Sequence, residues 1–362
     1  MNPFFNPWQL APRHIAVFRA LNLGDFLCAV PALRRLRHAA PDAHITFIGL
    51  SAISDCVQRF GHYIDEFVVF PGDQELPEST PDHGVLPEFY RSMQARQFDL
   101  AIQMHGSGLH TNTIVGRLGA RQCAGFVPDR IQETAWQMLW PQGAPEILRY
   151  LLLLQYLGVP GRMDMRLEFP LEEDDHHKAD RLMERFRMGR ADTVFIHPGA
   201  RLSSRRWPME RFAEIGRQLA LQGWRIGVTG SPSEHRLTSE VASSIGESAV
   251  NLAGMTDLGM LASLLRTAPL LICNDTGVSH VAAAVQTPTV VVASGSDVAR
   301  WAPHNTSLHK VLHVNMPCRP CAYQQCPIPG HPCATRVGVD QVLAAARNQL
   351  VKEHSDEMAA WL

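Results

Sequence analysis

Short apolar runs, each followed by a longer segment with helical spacing, recur along the whole chain. The first is His14–Phe18 (HIAVF), followed by a loop at Arg19–Gly24. Asp25 opens a helix that runs to about Ala40 through apolar Phe26, Val30, Leu33 and Leu36. Pro41-Asp42 stops that helix, and His44–Leu50 (HITFIGL) reads as the next strand, which makes a βαβ unit of the parallel-sheet type. The same alternation predicts a helix near Ser51–Phe60, a strand at Glu66–Phe70, a helix near Pro87–Gln97 and a strand at Leu100–Met104. His105–Gly108 then turns into a helix ending near Gly119, and Ile147–Leu157 is a further helix. The intervening Gln122–Pro145, with Trp136, Trp140 and three prolines, reads as an irregular lobe.

The pattern breaks at Gly158–Pro170, where Pro160, Gly161 and Pro170 bracket an extended linker, and then starts again. The acidic run Glu172–Asp175 opens a helix with its charge at the favourable end. Strands follow at Thr193–His197, Arg225–Thr229, Leu270–Cys273 and Thr289–Ala293, with helices at Pro208–Leu221, after Pro232, at Leu258–Thr267 and from Thr276. Asn251–Met255 crosses between two of these elements. Two closing helices, Val339–Lys352 and His354–Leu362, follow no strand and are expected to pack across the back of the domains. The expectation is an α/β chain of two doubly wound, parallel-sheet, Rossmann-like domains facing a cleft. Residues 1–165 form the first, 166–338 the second, and 339–362 the closing helices.

A length of 362 residues exceeds one ordinary core and agrees with two domains. Hydrophobic residues make up 46% and charged residues 19%, the balance of a soluble globular protein. The net charge of −2 gives no reason to expect a nucleic-acid partner. The N-terminal MNPFFNPWQLAPRH lacks the basic lead and apolar core of a signal peptide. The most apolar segment, Ile147–Val159, is shorter than the roughly 20 residues that cross a bilayer and contains Arg149. The chain therefore reads as cytoplasmic, with a peripheral contact on the inner face of the membrane as a further expectation. Arg34, Arg35 and Arg37 are where acidic lipid or a phosphorylated sugar would meet it, with a solvated helix face as the plainer reading.

Chemistry concentrates where strands end. In Leu270–Ala284 (LLICNDTGVSHVAAA) an apolar strand breaks at Asn274-Asp275-Thr276-Gly277 and a helix starts at once. Thr276 can cap that helix, and Gly277 lets a ligand approach the backbone closely. The open N–H groups and positive dipole end suit a phosphate. His280, four residues after Thr276, shares its helical face. Pro198-Gly199-Ala200, Gly230-Ser231-Pro232 and Gly295-Ser296 end the neighbouring strands and share one rim. Arg205, before Arg206-Trp207-Pro208, stands at a helix start with a guanidinium suited to a diphosphate. In the first half the candidate is Asp25 in Leu23-Gly24-Asp25, a general base or else a helix N-cap. No G-x-x-x-x-G-K-[ST], G-x-G-x-x-G after the first strand, G-x-S-x-G or H-E-x-x-H occurs, which argues against P-loop NTPases, dinucleotide dehydrogenases, serine hydrolases and zincins.

Cys28, Cys56, Cys123 and Cys273 sit in apolar or helical contexts and read as inert core thiols. Cys318, Cys321, Cys326 and Cys333 crowd a Pro/Gly-rich stretch with spacing C-x2-C-x4-C-x6-C. In a reducing compartment four such thiolates suit a closed tetrahedral zinc or iron site rather than disulfides.

These motifs together resemble glycosyltransferase family 9, the heptosyltransferases of lipopolysaccharide-core assembly. The resemblance is carried by Leu23-Gly24-Asp25 with Pro31-Ala32-Leu33, by Arg206-Trp207-Pro208 with Phe212, and by Asn251-Leu252-Ala253-Gly254. Asn274–Gly277 with His280 and Arg300-Trp301-Ala302-Pro303 complete it. It covers nearly the whole chain, more thinly between about Gly61 and Pro170. The resemblance implies a GT-B fold, an ADP-heptose-type nucleotide-sugar donor on the C-terminal domain, a glycolipid or glycan acceptor on the N-terminal domain, and inversion without a catalytic metal. By position, Asp25 would be the base that takes the acceptor proton, and Gly24 would belong to the donor-binding set. Arg205 falls where the family commonly places Lys against the donor diphosphate. Asp275, Thr276, Gly277 and His280 would hold the sugar and phosphates, and Glu234 and Met255 would lie near the nucleoside. Gly199-Ala200 lacks the hydroxyl-bearing residues that some members have there. The cysteine cluster resembles the iron-binding finger of the autotransporter heptosyltransferases, which makes protein O-heptosylation an alternative. A nucleotide-sugar-binding protein without catalysis is the non-enzymatic alternative, against which Asp25 speaks.

Overall fold

The computed structural model describes residues 7–78 and 80–360. Its contacts divide the chain into two units, Met1–Arg166 and Leu167–Leu362. The first unit contains strands β1 (His14–Phe18), β2 (His44–Gly49), β3 (Glu66–Val69), β4 (Leu100–Gln103), β5 (Gln122–Val127) and β6 (Gln137–Leu139). Between and after them lie helices α1 (Leu23–Ala39), α2 (Ser54–Gln58), α3 (Leu86–Ala95), α4 (Thr111–Gly116) and α5 (Glu146–Tyr156). All strands are parallel and lie in the order β3-β2-β1-β4-β5-β6. The burial of β1 explains its place in the centre. Ile15, Ala16, Val17 and Phe18 are fully buried, so side chains on both faces are covered, as a strand between two helical layers requires. Register sets Ile15 opposite Ile45 on β2 and opposite Leu100 on β4.

The second unit repeats this plan. It contains α6 (Glu173–Arg185), β7 (Thr193–His197), α7 (Met209–Ala220), β8 (Arg225–Val228), α8 (His235–Ile245), β9 (Ala249–Asn251) and α9 (Leu258–Arg266). It continues with β10 (Leu271–Asn274), α10 (Gly277–Ala284), β11 (Thr289–Val292), α11 (Val298–Trp301), β12 (His309–Leu312), α12 (Pro332–Thr335) and α13 (Val339–Ala360). Its parallel strands run in the order β12-β11-β10-β7-β8-β9. In both sheets the first three strands step one way from the opening strand and the last three step the other way. Each unit is thus doubly wound, with a reversal of strand order between β1 and β4 and between β7 and β10, where such sheets bind ligands at the strand ends.

Several local expectations change. Gln122–Pro145 is not an irregular lobe: it contains β5 and the edge strand β6, which complete the first sheet. The edge strand β12, which the pattern did not indicate, completes the second sheet beside β11. The closing segment is one helix, α13, rather than two, and Val342, Leu343, Ala346 and Leu350 pack into the core of the second unit with Phe212, Ile226 and Val290. Trp361 and Leu362, the end of the expected second helix, lie outside the described residues.

The three arginines of α1 form neither a solvated face nor a patch for acidic lipid. Arg35 is buried and donates to the carbonyls of Leu151, Val159 and Pro160, tying the end of α5 to α1. Arg34 pairs with Asp164 at 3.3 Å and donates to the carbonyls of Asp164 and Arg166. Arg37 pairs with Asp65 and donates to the carbonyls of Pro41, Ala43 and Tyr63. Each guanidinium satisfies backbone acceptors, most of them in the connecting loops. Among the described residues no helix is long and apolar enough to cross a membrane.

Candidate active site

In the first unit the site is built where β1 ends. The chain leaves the sheet at Phe18, passes through Arg19–Asn22 and enters α1 at Leu23, two residues earlier than expected. Asn22 holds the N-cap position, and Asp25 lies in the first turn beyond it, so the cap reading of Asp25 does not hold. Its charge is favoured there by the helix dipole. The carboxylate is about one-fifth exposed, and its Oδ1 lies 3.5 Å from Nη2 of the fully buried Arg19. Gly24 is buried in the same turn.

In the second unit the reversal between β7 and β10 is held by one side chain. Asn274, the last residue of β10, is fully buried. Its Oδ1 accepts from the Trp207 amide at 2.8 Å, and its Nδ2 donates to the carbonyls of Pro198 (2.8 Å) and Gly199 (3.2 Å). The loop after β7 and the loop before α7 are thereby locked to the end of β10. Trp207, almost fully buried, anchors the same corner by packing edge-to-face on Phe212 and donating to the Val337 carbonyl at 3.0 Å. The sequence signal for Asn274 was a lone polar residue closing an otherwise apolar strand, and its bracing role was not read from it.

Around that corner the expected donor residues converge. Asp275 and Thr276 follow directly, half-buried, and Gly277 starts α10. Thr276 occupies the N-cap position, but its side chain makes no cap hydrogen bond, contrary to expectation. Ser279 instead donates backbone N–H (3.0 Å) and hydroxyl (2.7 Å) to the Thr276 carbonyl. His280 is buried one turn into α10, its ring 6.2 Å from that of Trp301 in an edge-on arrangement. Behind it, burial and then the His280 charge push the His309 imidazole down to about 4, and Nδ1 of His309 sits 2.9 Å from the Thr289 hydroxyl.

Glu234 ends a single turn, Pro232–Glu234, and closes a capping box with Ser231, whose N–H and hydroxyl donate to Oε2 at 2.9 and 2.8 Å. The carboxylate lies directly on Gly199: a Cβ there would sit 2.0 Å from Glu234 Oε1, so a larger residue would displace the carboxylate. Burial pushes the neighbouring His197 imidazole down, against the opposing pull of the Glu234 charge. Met255 is 40% exposed on the loop after β9, a thioether open to an apolar ligand surface.

Arg205 does not stand at the start of α7. It ends a separate turn, Ser203–Arg205, and Nη2 donates to the Cys321 carbonyl at 2.5 Å. Its Nε is buried without a hydrogen-bond partner, as are the hydroxyls of Ser294 and Ser296 in the loop after β11. Gly295 between the serines joins the two segments, since a Cβ built there would come within 3.9 Å of Arg205 Cδ. Arg205 Nε and the two serine hydroxyls thus lie on neighbouring loops as donors that no protein group engages. A bound acceptor such as a phosphate is the kind of group such donors suit. The two serines carried no role in the sequence beyond being loop residues.

The cysteine segment docks on the same loops. Cys321 N–H donates to the Gly295 carbonyl at 2.9 Å, and the Cys321 thiol lies 2.8 Å from where a Gly295 Cβ would be. Ser203 and Ser204 donate to the carbonyls of Gln324 and Tyr323, and His331 Nε2 lies 3.0 Å from the Ser204 carbonyl. Burial, then the neighbouring Cys326, Cys321 and Cys318, push the Cys333 thiol up. Cys333 thus feels the other three cysteines, although no group of three or more His, Cys, Asp or Glu among the described residues has metal-binding geometry. Of the other four, Cys28, Cys56 and Cys273 are buried, and burial pushes the Cys56 thiol up to about 12.

The profile of the family described as Glycosyltransferase family 9 (heptosyltransferase) matches residues 87–331. The chain belongs to glycosyltransferase family 9. It is an enzyme of the glycosyltransferase class. It is 26% identical over 343 residues to lipooligosaccharide heptosyltransferase 2 of Campylobacter jejuni, covering 92% of this chain and 97% of that one. Among solved structures it resembles a family 9 glycosyltransferase from Veillonella parvula, with TM-score 0.78, 22% identity and coverage of 94% and 98%. It also resembles E. coli ADP-heptose lps heptosyltransferase II, with TM-score 0.70, 18% identity and coverage of 94% and 99%. These likenesses and the two doubly wound sheets place the fold in the GT-B class.

Proposed function

We propose that this glycosyltransferase moves heptose from ADP-heptose to a hydroxyl of a lipopolysaccharide-core saccharide, with inversion at the anomeric carbon. The observation that carries the reading is the rim of the second unit, where Arg205, Ser294 and Ser296 hold unpaired donors beside the Asn274-braced start of α10. That arrangement suits a diphosphate. The donor and acceptor classes are those in the names of its relatives.

In this reading the acceptor oxygen attacks the anomeric carbon while the bond to the diphosphate breaks, and the acceptor proton passes to Asp25. A sugar hydroxyl is a weak nucleophile, so a placed carboxylate must receive that proton as the bond forms. The departing ADP gains charge, which Arg205 and the N–H groups opening α10 meet without a divalent cation. Asp275, Thr276, Gly277 and His280 hold the sugar and phosphates, with Glu234 and Met255 toward the nucleoside. Cys318, Cys321, Cys326 and Cys333 would hold a structural zinc or iron, and four thiolates leave no open position for substrate. Such an ion would cross-link the segment that seats Arg205. The reading places the enzyme in the cytoplasm.

Calorimetric titration of the full chain, purified without chelator, tests both parts. ADP is expected to bind at least tenfold more tightly than UDP or GDP, and metal analysis of the same sample to find one zinc or iron per chain. Equal affinity for the three nucleotides would overturn the donor assignment, and metal-free protein would overturn the metal assignment.

A further inference from the structure

Directly behind Asp25 lies a buried ionic network that the transfer reaction, as described, does not use. Arg19 is fully buried and all three of its nitrogens are engaged. Nε donates to the Asp25 carbonyl at 2.8 Å, Nη1 to the Met104 carbonyl and the Tyr150 hydroxyl, and Nη2 to Glu146 Oε1 at 3.1 Å. The same Nη2 is 3.5 Å from Asp25 Oδ1. Glu146 is also fully buried; the Tyr150 hydroxyl donates to its Oε1, and Arg149 Nη1 to its Oε2 at 2.8 Å. Arg149 is held in turn over the Trp140 ring, 4.4 Å from its centre. Two cations and two carboxylates alternate from Arg149 to Asp25, and Asp25 is the most exposed of the four.

We infer that Arg19, shared between Glu146 and Asp25, is a positioning residue that sets the orientation and charge state of the Asp25 carboxylate. The inference rests on Asp25 being the base. Burying a guanidinium is costly unless it is paired and hydrogen-bonded, and Glu146 and Tyr150 supply that compensation here. Arg19 then has a fixed nitrogen to offer Asp25. A full positive charge within 4 Å keeps a carboxylate ionised, and thus able to accept a proton. A cation belonging to Asp25 alone would also make it a weaker base, and Glu146 moderates this by drawing on the same guanidinium. Burial opposes the charged form of Arg19, and Tyr150, Glu146, Asp25 and Cys28 together outweigh it, so its pKa is raised. Arg149 is a further titratable group facing Glu146.

The network predicts opposite shifts from its two ends. Removing the Arg19 charge destabilises the Asp25 carboxylate and moves the acidic limb of the kcat/KM–pH profile up. Removing the Glu146 charge leaves Arg19 to Asp25 alone and moves that limb down. The test measures that limb for E146Q and for the double variant R19M/E146Q, which loses one charge of each sign and so keeps the net charge of the network unchanged. E146Q is expected to lower the limb, and R19M/E146Q to raise it, by about one pH unit each. R19K, which keeps the charge, is expected to return the limb toward wild type. ADP affinity should be unchanged throughout. Limbs that stay at the wild-type pH in both variants, or move in the same direction, would overturn the inference. A D25N variant with wild-type turnover would instead overturn the base assignment on which it rests, and separates the two failures.

Discussion

Asp25→Asn is expected to lower the turnover for sugar transfer by about 10²–10⁴-fold. It should leave ADP affinity and thermal stability close to wild type. The stability part follows from the position of Asp25. Asn22, not Asp25, occupies the N-cap, so no capping interaction is lost. What is lost is a first-turn charge worth about 0.3–1 kcal/mol. Arg19 keeps Glu146, Tyr150 and the Met104 carbonyl as partners, so the substitution strands no buried ion. A structural aspartate would show the reverse, with a lower melting temperature and turnover nearly intact. Steady-state transfer kinetics and a thermal melt on one preparation distinguish them.

Arg205→Gln should lower turnover by about 10²–10³-fold, the usual cost of removing one donor aimed at developing charge. ADP affinity should fall as well. Arg205→Lys should recover a large part of both, because the charge remains although the fork of donors does not. Gln and Lys each retain a donor for the Cys321 carbonyl, so the cysteine segment should stay docked. Pre-steady-state kinetics with saturating donor isolate the effect on bond breaking. Wild-type turnover in Arg205→Gln would assign the leaving-group role elsewhere, with Ser294 and Ser296 the next donors at that rim.

How much of this was legible in the sequence follows burial. The central strands β1 and β10 are covered on both faces, so their sequences are almost wholly apolar and were read within one residue. The edge strands β6 (QML) and β12 (HKVL) are short and partly exposed, and that weak apolar signal concealed them. Candidate residues at strand ends were legible because Gly, Asp, Thr and Arg in those loops have few structural uses in combination. Their partners were harder to read. Arg19 and Arg35 look like ordinary surface charges until distant backbone carbonyls and Glu146 are seen to surround them. Asn274 braces two loops that are 67 to 76 residues away in sequence, a relation no local pattern encodes.

The most direct measurement is the anomeric configuration of the product, by proton NMR, after incubation of the wild-type enzyme with ADP-heptose and a lipopolysaccharide-core acceptor. The expected result is a heptosyl product of configuration opposite to the donor, formed by a single displacement with Asp25 as base. A product that retains the donor configuration, or no transfer of heptose to that acceptor, would contradict it.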